Sequence, residues 1–435
     1  MLIKHGLKSF DLKGFSSFQQ YKHPLLLLIL LKTIYLTTRR LNSPKGIKMK
    51  FTVLKSDFMK KLTPAMGTVS NKNTITSLEG ILLETGEDGL IKISSYDMNK
   101  GFRSTFRPIS IEREGKFIIN AGRLYQTMKV MPEDEIVFDI NDNLTCNIYS
   151  GKSSFSMFAM KGEDFPNLPD LTSEKGFVVS AEILRKMISK VSHSIADQDN
   201  RPMLCGAFFK IKKDGIEVVS SDSFTLSLCN YESEIEYTGN DDGEISFIIP
   251  GHALSELSKI LLEGEDDNIK FFVARRHAII NKDDIIFFTR TIDSEYIDYK
   301  RVIPKDNDIK VIVDRDRLLE GLERVNIIAE EKIQGRGRSY VKLSIDGHYL
   351  ELNSSSVNGK VNDEIDCIHE GNSINIGFNC RFLINSVRAS EGDNIKMTMK
   401  TPTQAITVEK AEEGEDDKFS YLYMILPVRM NEKDI

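Results

Sequence analysis

"FIINAGRLYQTMKVMPEDEIVFDI", residues 117–140, runs from a short strand through a polar cap into a helix, then through an acidic turn into a second strand. The same order returns in "FIIPGHALSELSKILLEGEDDNIKFFV" (247–273) and "INIGFNCRFLINSVRASEGDNIKMTM" (374–399). Self-similarity at a steady spacing marks a repeat architecture. A second pattern, strand then cap then helix, alternates with the first: "FTVLKSDFMKKL" (51–62), "FVVSAEILRKMISKV" (177–191) and "KVIVDRDRLLEGLERV" (310–325). Asp57, Ser180 and Asp314 are the expected caps, each offering an oxygen to the exposed amides of a helix start. Between the helices lie alternating stretches such as "GIEVVSSDSFTLSLCNYE" and "HAIINKDDIIFFTRTI", the pattern of half-buried antiparallel strands. Each unit therefore spans about 125 residues and holds two helices and a sheet.

The expected fold is α+β, with three tandem two-helix units over 49–171, 172–304 and 305–430. Proline-bearing connectors, "KGEDFPNLPDL" (161–171) and "SEYIDYKRVIPKD" (294–306), fall where the units join. Residues 431–435 form a tail.

Residues 1–48 differ from everything after them. They hold nine Lys/Arg and one acid, Asp11, while the whole chain holds 58 basic and 64 acidic residues for a net charge of −6. Leu25 to Leu31 is an unbroken apolar run between Lys22 and Lys32. A spanning helix needs roughly 20 apolar residues, so this run is too short to cross a bilayer. No small-residue cleavage pattern follows it. The expectation is that folding starts at Met49 and that 1–48 is an extension without a folded role. The five cysteines are widely spaced and include no CxxC pair, which indicates neither a zinc site nor a disulfide framework and suits a reducing cytoplasm.

Charge is also divided within the repeats. The helices, taken as 57–66, 121–131, 180–193, 251–262, 314–328 and 379–389, carry thirteen basic and seven acidic residues in an acidic chain. On the third, Ile183, Leu184, Met187, Ile188 and Val191 share one face, and Arg185, Lys186, Ser189 and Lys190 share the other. Arg317 and Arg324, seven apart, share a face, as do Arg381 and Arg388. Charged helix faces are commonly just solvated. Six of them, basic within an acidic protein, point instead to a common polyanion-facing surface. Such lysines and arginines bind phosphates without reading sequence.

The chain from Met49 to Met430 resembles the bacterial DNA polymerase III beta subunit, the replicative sliding clamp. The resemblance rests on "MKFTV" (49–53), "DFPNL" (164–168), "DYKRVIP" (298–304) and "MILPVRM" (424–430), in that order. It implies three similar domains per chain, two chains joined head to tail as a homodimeric ring, helices lining a hole for duplex DNA, and no catalytic role. Implied partners, met through linear peptides, are the polymerase III alpha subunit, the clamp loader and repair proteins. The resemblance implies no cofactor, no metal and no membrane.

Carried onto this chain, the resemblance implies a peptide pocket of Leu204, Ser221, Phe224, Leu226, Ile297, Arg301, Val302, Met424, Leu426, Pro427, Val428, Arg429 and Met430. It places Lys72 and Gln198 at DNA. Arg201 and the helix cations Lys60, Lys61, Arg123, Lys129, Arg185, Lys186, Lys190, Arg317, Arg324, Arg381 and Arg388 complete the expected DNA-facing set. Phe155 and Met157 from the first domain should meet Ile327 and Ile328 from the third at the dimer contact. This chain departs from many relatives by placing Phe224-Thr225 where they carry His-Arg, so a more apolar pocket wall is expected. Pro202-Met203 stands where some relatives carry an aromatic pair, which disfavours base stacking.

Other signals point elsewhere or nowhere. The acidic runs "PEDE", "GEDDN" and "EGDN" occupy the same helix-to-strand turn in each unit, which suits a structural role better than cation binding. "QGRGRSY" (334–340) lacks the spacing of a phosphate loop, and its Arg336 and Arg338 have no assigned role. Ser223 has no nucleophile-elbow glycines around it. Two alternatives to the clamp remain at this stage: a metal-dependent nucleic-acid enzyme using its carboxylates, and a membrane-associated interaction protein using residues 1–48.

Overall fold

A computed structural model describes residues 48–430 except 71–74, 133, 174, 239–242, 263–267, 275, 331, 334–336, 339, 413 and 415–416; for 332–333 and 337–338 it describes the backbone alone. The extension up to residue 47, Lys72, Arg336, the Arg338 side chain and the tail 431–435 lie outside the described residues.

The six expected helices are present as α1 (Lys55–Ala65), α2 (Ala121–Val130), α3 (Ala181–Val191), α4 (Gly251–Ile260), α5 (Arg315–Ala329) and α6 (Cys380–Ala389). Ser180 and Asp314 cap α3 and α5, accepting from the amides of Ile183 and Arg317. Asn120 and Asn379 cap α2 and α6 in the same way. Asp57 is not a cap. Helix α1 begins two residues earlier, and Asp57 sits inside its first turn. The acidic turn explains this: the Asp134 carbonyl accepts from the Lys55 amide at 2.6 Å, and the Asp393 carbonyl does the same for Arg315 at 2.8 Å. A backbone oxygen thus satisfies the first orphan donor of both helices; α1 has no side-chain cap besides because its N-cap residue is Leu54. The acidic turns of the first and third units are thus part of the helix-start architecture.

The internal repeat survives at the level of paired residues. Phe51 faces Phe138 across its strand pair, Phe177 faces Phe271, and Val311 faces Met397. The first two pairs are stacked rings, 4.7 and 4.9 Å between centroids. The third unit packs aliphatic side chains at the same place.

Two sheets cross the boundaries between units. A fourteen-stranded sheet joins strands of the second unit to strands of the first, and a twelve-stranded sheet joins the second to the third. The joins are made by β1 (Lys100–Phe106), β2 (Thr225–Glu232), β3 (Ile285–Arg290) and β4 (Phe419–Ile425): β1 pairs with β3 and β2 with β4, all antiparallel. On the helical side, α2 contacts α1, α1 contacts α4 and α4 contacts α3, while α5 packs on α6.

Gly101 sits on the first seam, facing Phe288 across the strand pair. A Cβ there would stand 2.2 Å from the Phe288 ring, and Phe288 is fully buried. Gly101→Ala should therefore overpack the seam and lower stability by about 1–3 kcal/mol. Urea unfolding followed by circular dichroism checks this, with a lower midpoint and an unchanged native spectrum expected.

Candidate nucleic-acid and peptide interfaces

The helix cations do not share one fate. Lys60, Arg123, Lys129 and Arg185 are exposed, and none of them has a carboxylate partner among the described residues. Lys129 rests over the Tyr125 ring, 4.5 Å from its centroid. These four lie on α1, α2 and α3, within the helical layer that runs α2, α1, α4, α3.

Three other lysines tie units together. Lys61 pairs with Asp284 of the second unit at 2.6 Å. The same carboxylate accepts from Ser104 Oγ at 2.6 Å and from the Thr105 amide at 3.3 Å. Lys186 and Lys190 both reach Glu391 of the third unit, at 3.0 and 2.9 Å. The Lys190 side chain was expected to face water, but only 5 % of the residue is exposed. Helix α3 packs on β2, and the lysine is enclosed where that strand meets β4 and the end of α6. Its Nζ donates to the Ala389 carbonyl at 2.5 Å, at the helix end where a cation is favoured. Burial lowers the Lys190 pKa, and the Glu391 contact opposes that shift. Burial acts to raise the Glu391 carboxyl, but the two lysines outweigh it and hold that group below its ordinary value.

In the third unit each expected DNA-facing arginine is paired. Arg317 lies 3.7 Å from Asp366, and Arg324 lies 2.6 Å from Asp363 with Glu320 at 3.8 Å. Arg381 is bound to Glu330, and Arg388 lies 2.7 Å from Glu323. The positive charge read from sequence is thus locally neutralised on α5 and α6. Gln198 is exposed on the loop after α3, and Arg201 is bound to Asp199 on that loop.

The expected pocket residues converge on the second seam. Register pairs Leu226 with Met424, and the Leu426 amide continues the ladder to the Phe224 carbonyl at 2.9 Å. Ile297, Arg301 and Val302 arrive on the connector, whose short helical turn Tyr299–Val302 packs over the same strands. Leu204, Ser221, Leu226 and Met424 are buried, and Leu226 and Met424 pack with Tyr299 and Ala405. Phe224, Val302 and Leu426 are exposed at the rim. A cavity of about 520 Å³ opens there, lined by Arg301, Val302, Pro304, Lys305, Ala405 and Leu426, and none of the four buried residues lines it. Pro427 and Val428 are half-buried, Arg429 is exposed, and the Val428 amide donates to the Gly377 carbonyl at 2.8 Å. Met430 lies against Gly377. Sequence reasoning missed Ala405 and Lys305, and it missed Phe382, whose ring stacks with Phe224 at 6.0 Å. Phe382 lies on α6, and only the tertiary fold brings it to the seam.

Two of the longer strands change partner part-way and are paired on only one side over most of their length. Ser153–Lys161 pairs with 145–150 through its first six residues, and only its last three pair with 117–119. Lys360–Glu370 pairs with 349–355 through its first seven and with 310–313 through its last four. Phe155 on the first edge is exposed, and Met157 is half-buried against the core. Phe158, which sequence reasoning overlooked, is 82 % exposed. Ile327 is 73 % exposed on α5, and Ile328 lies near Gly359 at the start of the second edge.

No group of three or more His, Cys, Asp or Glu among the described residues could hold a metal. No described helix is long and apolar enough to cross a membrane. Burial pushes the Cys146, Cys229 and Cys380 thiols up to about 12, far from the reactive thiolate range.

Three two-helix units chained through shared antiparallel sheets define a clamp-fold protein. Residues 49–169, 178–298 and 300–429 match, in order, the family models for the N-terminal, central and C-terminal domains of the DNA polymerase III beta subunit. The chain belongs to that family. It is 26 % identical over 396 residues to the beta sliding clamp of Bacillus subtilis (strain 168), covering 88 % of this chain and 100 % of the relative. Among solved structures, the DNA polymerase III beta subunit of Thermotoga maritima superposes with a TM-score of 0.79 at 27 % identity, over 88 % of this chain and all of that one. The sliding clamp of Bacillus subtilis superposes with a TM-score of 0.80 at 24 % identity, with the same coverage.

His193 lies beneath the second seam, edge-on to Tyr423, with Nε2 3.1 Å from Ser227 Oγ and Nδ1 shielded without a partner. Burial, then the nearby Lys190 charge, lowers its pKa from 6.5 to about 4. The unfolded chain takes up this proton first, so the contribution is present above pH 6.5 and is lost as pH falls toward 4. His193→Gln should reduce the stability lost between pH 7 and pH 5 by roughly 1–2 kcal/mol, read from urea midpoints at the two pH values.

Proposed function

We propose that two copies of this chain close head to tail into a ring around duplex DNA in the cytoplasm and tether the replicative polymerase to it. Family membership supports this reading, as does the name sliding clamp carried by the relatives. The observation that carries it is the helical layer of the first two units. In a chain of net charge −6, it presents Lys60, Arg123, Lys129 and Arg185 without a carboxylate partner among the described residues. Cations of this kind meet phosphates without reading bases. A closed ring is retained topologically, so its contacts can be weak enough to slide.

The third unit contributes less phosphate attraction, because its arginines are already held by Asp363, Asp366, Glu323 and Glu330. The second-seam groove is the docking place for linear peptides from the polymerase alpha subunit, the clamp loader and repair proteins. Its rim is apolar at Val302 and Leu426 and cationic at Arg301 and Lys305. The free edges at 153–158 and 360–366 are the surfaces that a second copy would pair, since an unpaired strand edge is a ready template for another chain.

Replacing Lys60 and Arg185 together with Gln should weaken duplex binding and reduce the slope of log affinity against log salt by about two. The matching double change at Arg324 and Arg388 should leave that slope nearly unaltered; fluorescence anisotropy with a labelled duplex measures both. Phe158→Asp would bury a charge in the paired edge, and sedimentation velocity should then show mostly single chains at concentrations where the parent is a dimer.

A further inference from the structure

In each unit the strand before the second helix meets a later segment at one equivalent position, two residues ahead of the helix cap: Ile118, Ile248 and Gly377. In the first unit the meeting is a short antiparallel ladder, in which Ile119, Ile118 and Phe117 pair with Ala159, Met160 and Lys161. The next residue, Gly162, lies so close to Lys116 that a Cβ on it would meet that side chain at 2.1 Å. An extended segment running the opposite way thus seals the strand. In the third unit Val428 bridges Gly377. In the second unit the Ile292 amide donates to the Ile248 carbonyl at 3.0 Å, and the ladder goes no further. The Ser294 amide donates back to the Ile292 carbonyl at 3.2 Å, so the chain folds on itself instead of continuing along the strand.

Strand 245–250 stands at the end of the twelve-stranded sheet, with 206–211 as its one partner strand among the described residues. Ile248 turns its carbonyl away from that partner, toward Ile292. The two-residue repeat of a strand therefore turns the amide and carbonyl of Ser246 the same way. Ser246 lines a cavity of about 680 Å³ together with Phe208, Phe247, Ala274, Glu295 and Tyr296. Phe208 and Tyr296 form a flat apolar wall, stacked 5.1 Å between centroids. The cavity's two lysines are already engaged: Lys210 pairs with Glu244 at 2.8 Å, and Lys300 lies 3.8 Å from Glu217. Of its carboxylates, Asp298 is held by Arg301 at 2.9 Å and Asp293 lies 3.6 Å from Arg276. Glu295 is exposed and has no cationic partner among the described residues.

We propose that the open stretch at Ser246 takes an extended segment of a partner protein by antiparallel strand addition, a segment with an apolar side chain for the Phe208–Tyr296 wall and a lysine or arginine for Glu295. The site belongs to the central unit and stands apart from the second-seam groove: of the expected groove residues only Ile297 lines it. The form of the occupant follows from the first unit, where such a segment covers the equivalent residues. Its charge follows from Glu295. An unpaired strand edge is a ready template for another chain. Main-chain hydrogen bonds give this kind of docking its affinity, and the flanking side chains give its selectivity.

The test uses the full chain and a short labelled synthetic peptide of alternating threonine and valine with one phenylalanine and one lysine. Fluorescence anisotropy should show binding, and a copy N-methylated on its backbone should bind about five-fold more weakly for each main-chain hydrogen bond lost. Ser246→Pro removes the outward amide and should weaken the peptide about five-fold. The circular dichroism spectrum and duplex affinity of that variant should match the parent, because an edge strand tolerates proline where its amide faces outward. Glu295→Lys, a change at an exposed side chain, should weaken the lysine peptide and favour a copy with glutamate in place of the lysine. The proposal is overturned if the parent does not bind the peptide or if the N-methylated copy binds equally well. It is overturned if either variant keeps the parent's affinity, which would place the peptide elsewhere, the second-seam groove included. It falls likewise if sedimentation velocity shows the parent in assemblies larger than a pair that Ser246→Pro disperses, since a second copy would then hold the edge.

Discussion

The architecture depends on backbone pairing across unit boundaries. A two-helix unit of this size ends in strands whose amides and carbonyls need partners. At each internal boundary the chain supplies the partner itself, β1 with β3 and β2 with β4. Continuous ladders fix the angle between units more firmly than side-chain packing alone, since one slipped residue would turn every side chain to the opposite face. The outer units keep the edges at 153–158 and 360–366, which no strand covers among the described residues. The ends of both sheets, at 236–238, 110–113, 245–250 and 374–378, likewise have one partner each.

The seams also decide which cations remain available. Lys61, Lys186 and Lys190 sit on helices that the sequence marks as basic, yet each is drawn to a carboxylate of the neighbouring unit. Exposed ion pairs contribute little stability. Lys190 differs because it is enclosed, held by both a carbonyl and Glu391, and removing either partner would strand a buried charge. The α5 arginines face Asp363 and Asp366 on the adjoining strand, and the α6 arginines face Glu323 and Glu330 of α5 and its C-terminal end, so local ion pairs replace a cationic surface.

Much of this was legible in the sequence. Apolar spacing and recurring caps place all six helices within about two residues, because those signals are local. Asp57 fails as a cap because the helix starts two residues before it, at Lys55, with the apolar Leu54 in the cap position. Residue type and helical face identify a cation, but its partner belongs to another element: Glu391 for Lys190, Asp284 for Lys61, Asp363 for Arg324. The pocket strands were found through the family resemblance. Phe382 was not, since nothing in "NCRFLINSV" distinguishes a ring facing the seam from one in the core.

The two seams also show why the groove lies where it does. At the first, the connector folds Phe165, Leu168 and Leu171 against Leu82, Ile118 and Phe288, and Gly101 lets the Phe288 ring lie directly on the strand. That junction is filled. At the second, Tyr296, Ile297 and Ile303 pack over Leu226 and Met424 in the same manner, but the helical turn Tyr299–Val302 interrupts the connector. The turn holds Val302 outward, 51 % exposed, and the cavity of about 520 Å³ opens beside it. Both connectors carry a short helical turn, Gly162–Asp164 in the first and Tyr299–Val302 in the second, but only the second stands beside that cavity. The difference lies at and after the turn: Phe165, Leu168 and Leu171 fold inward at the first seam, whereas Val302 stays exposed at the second.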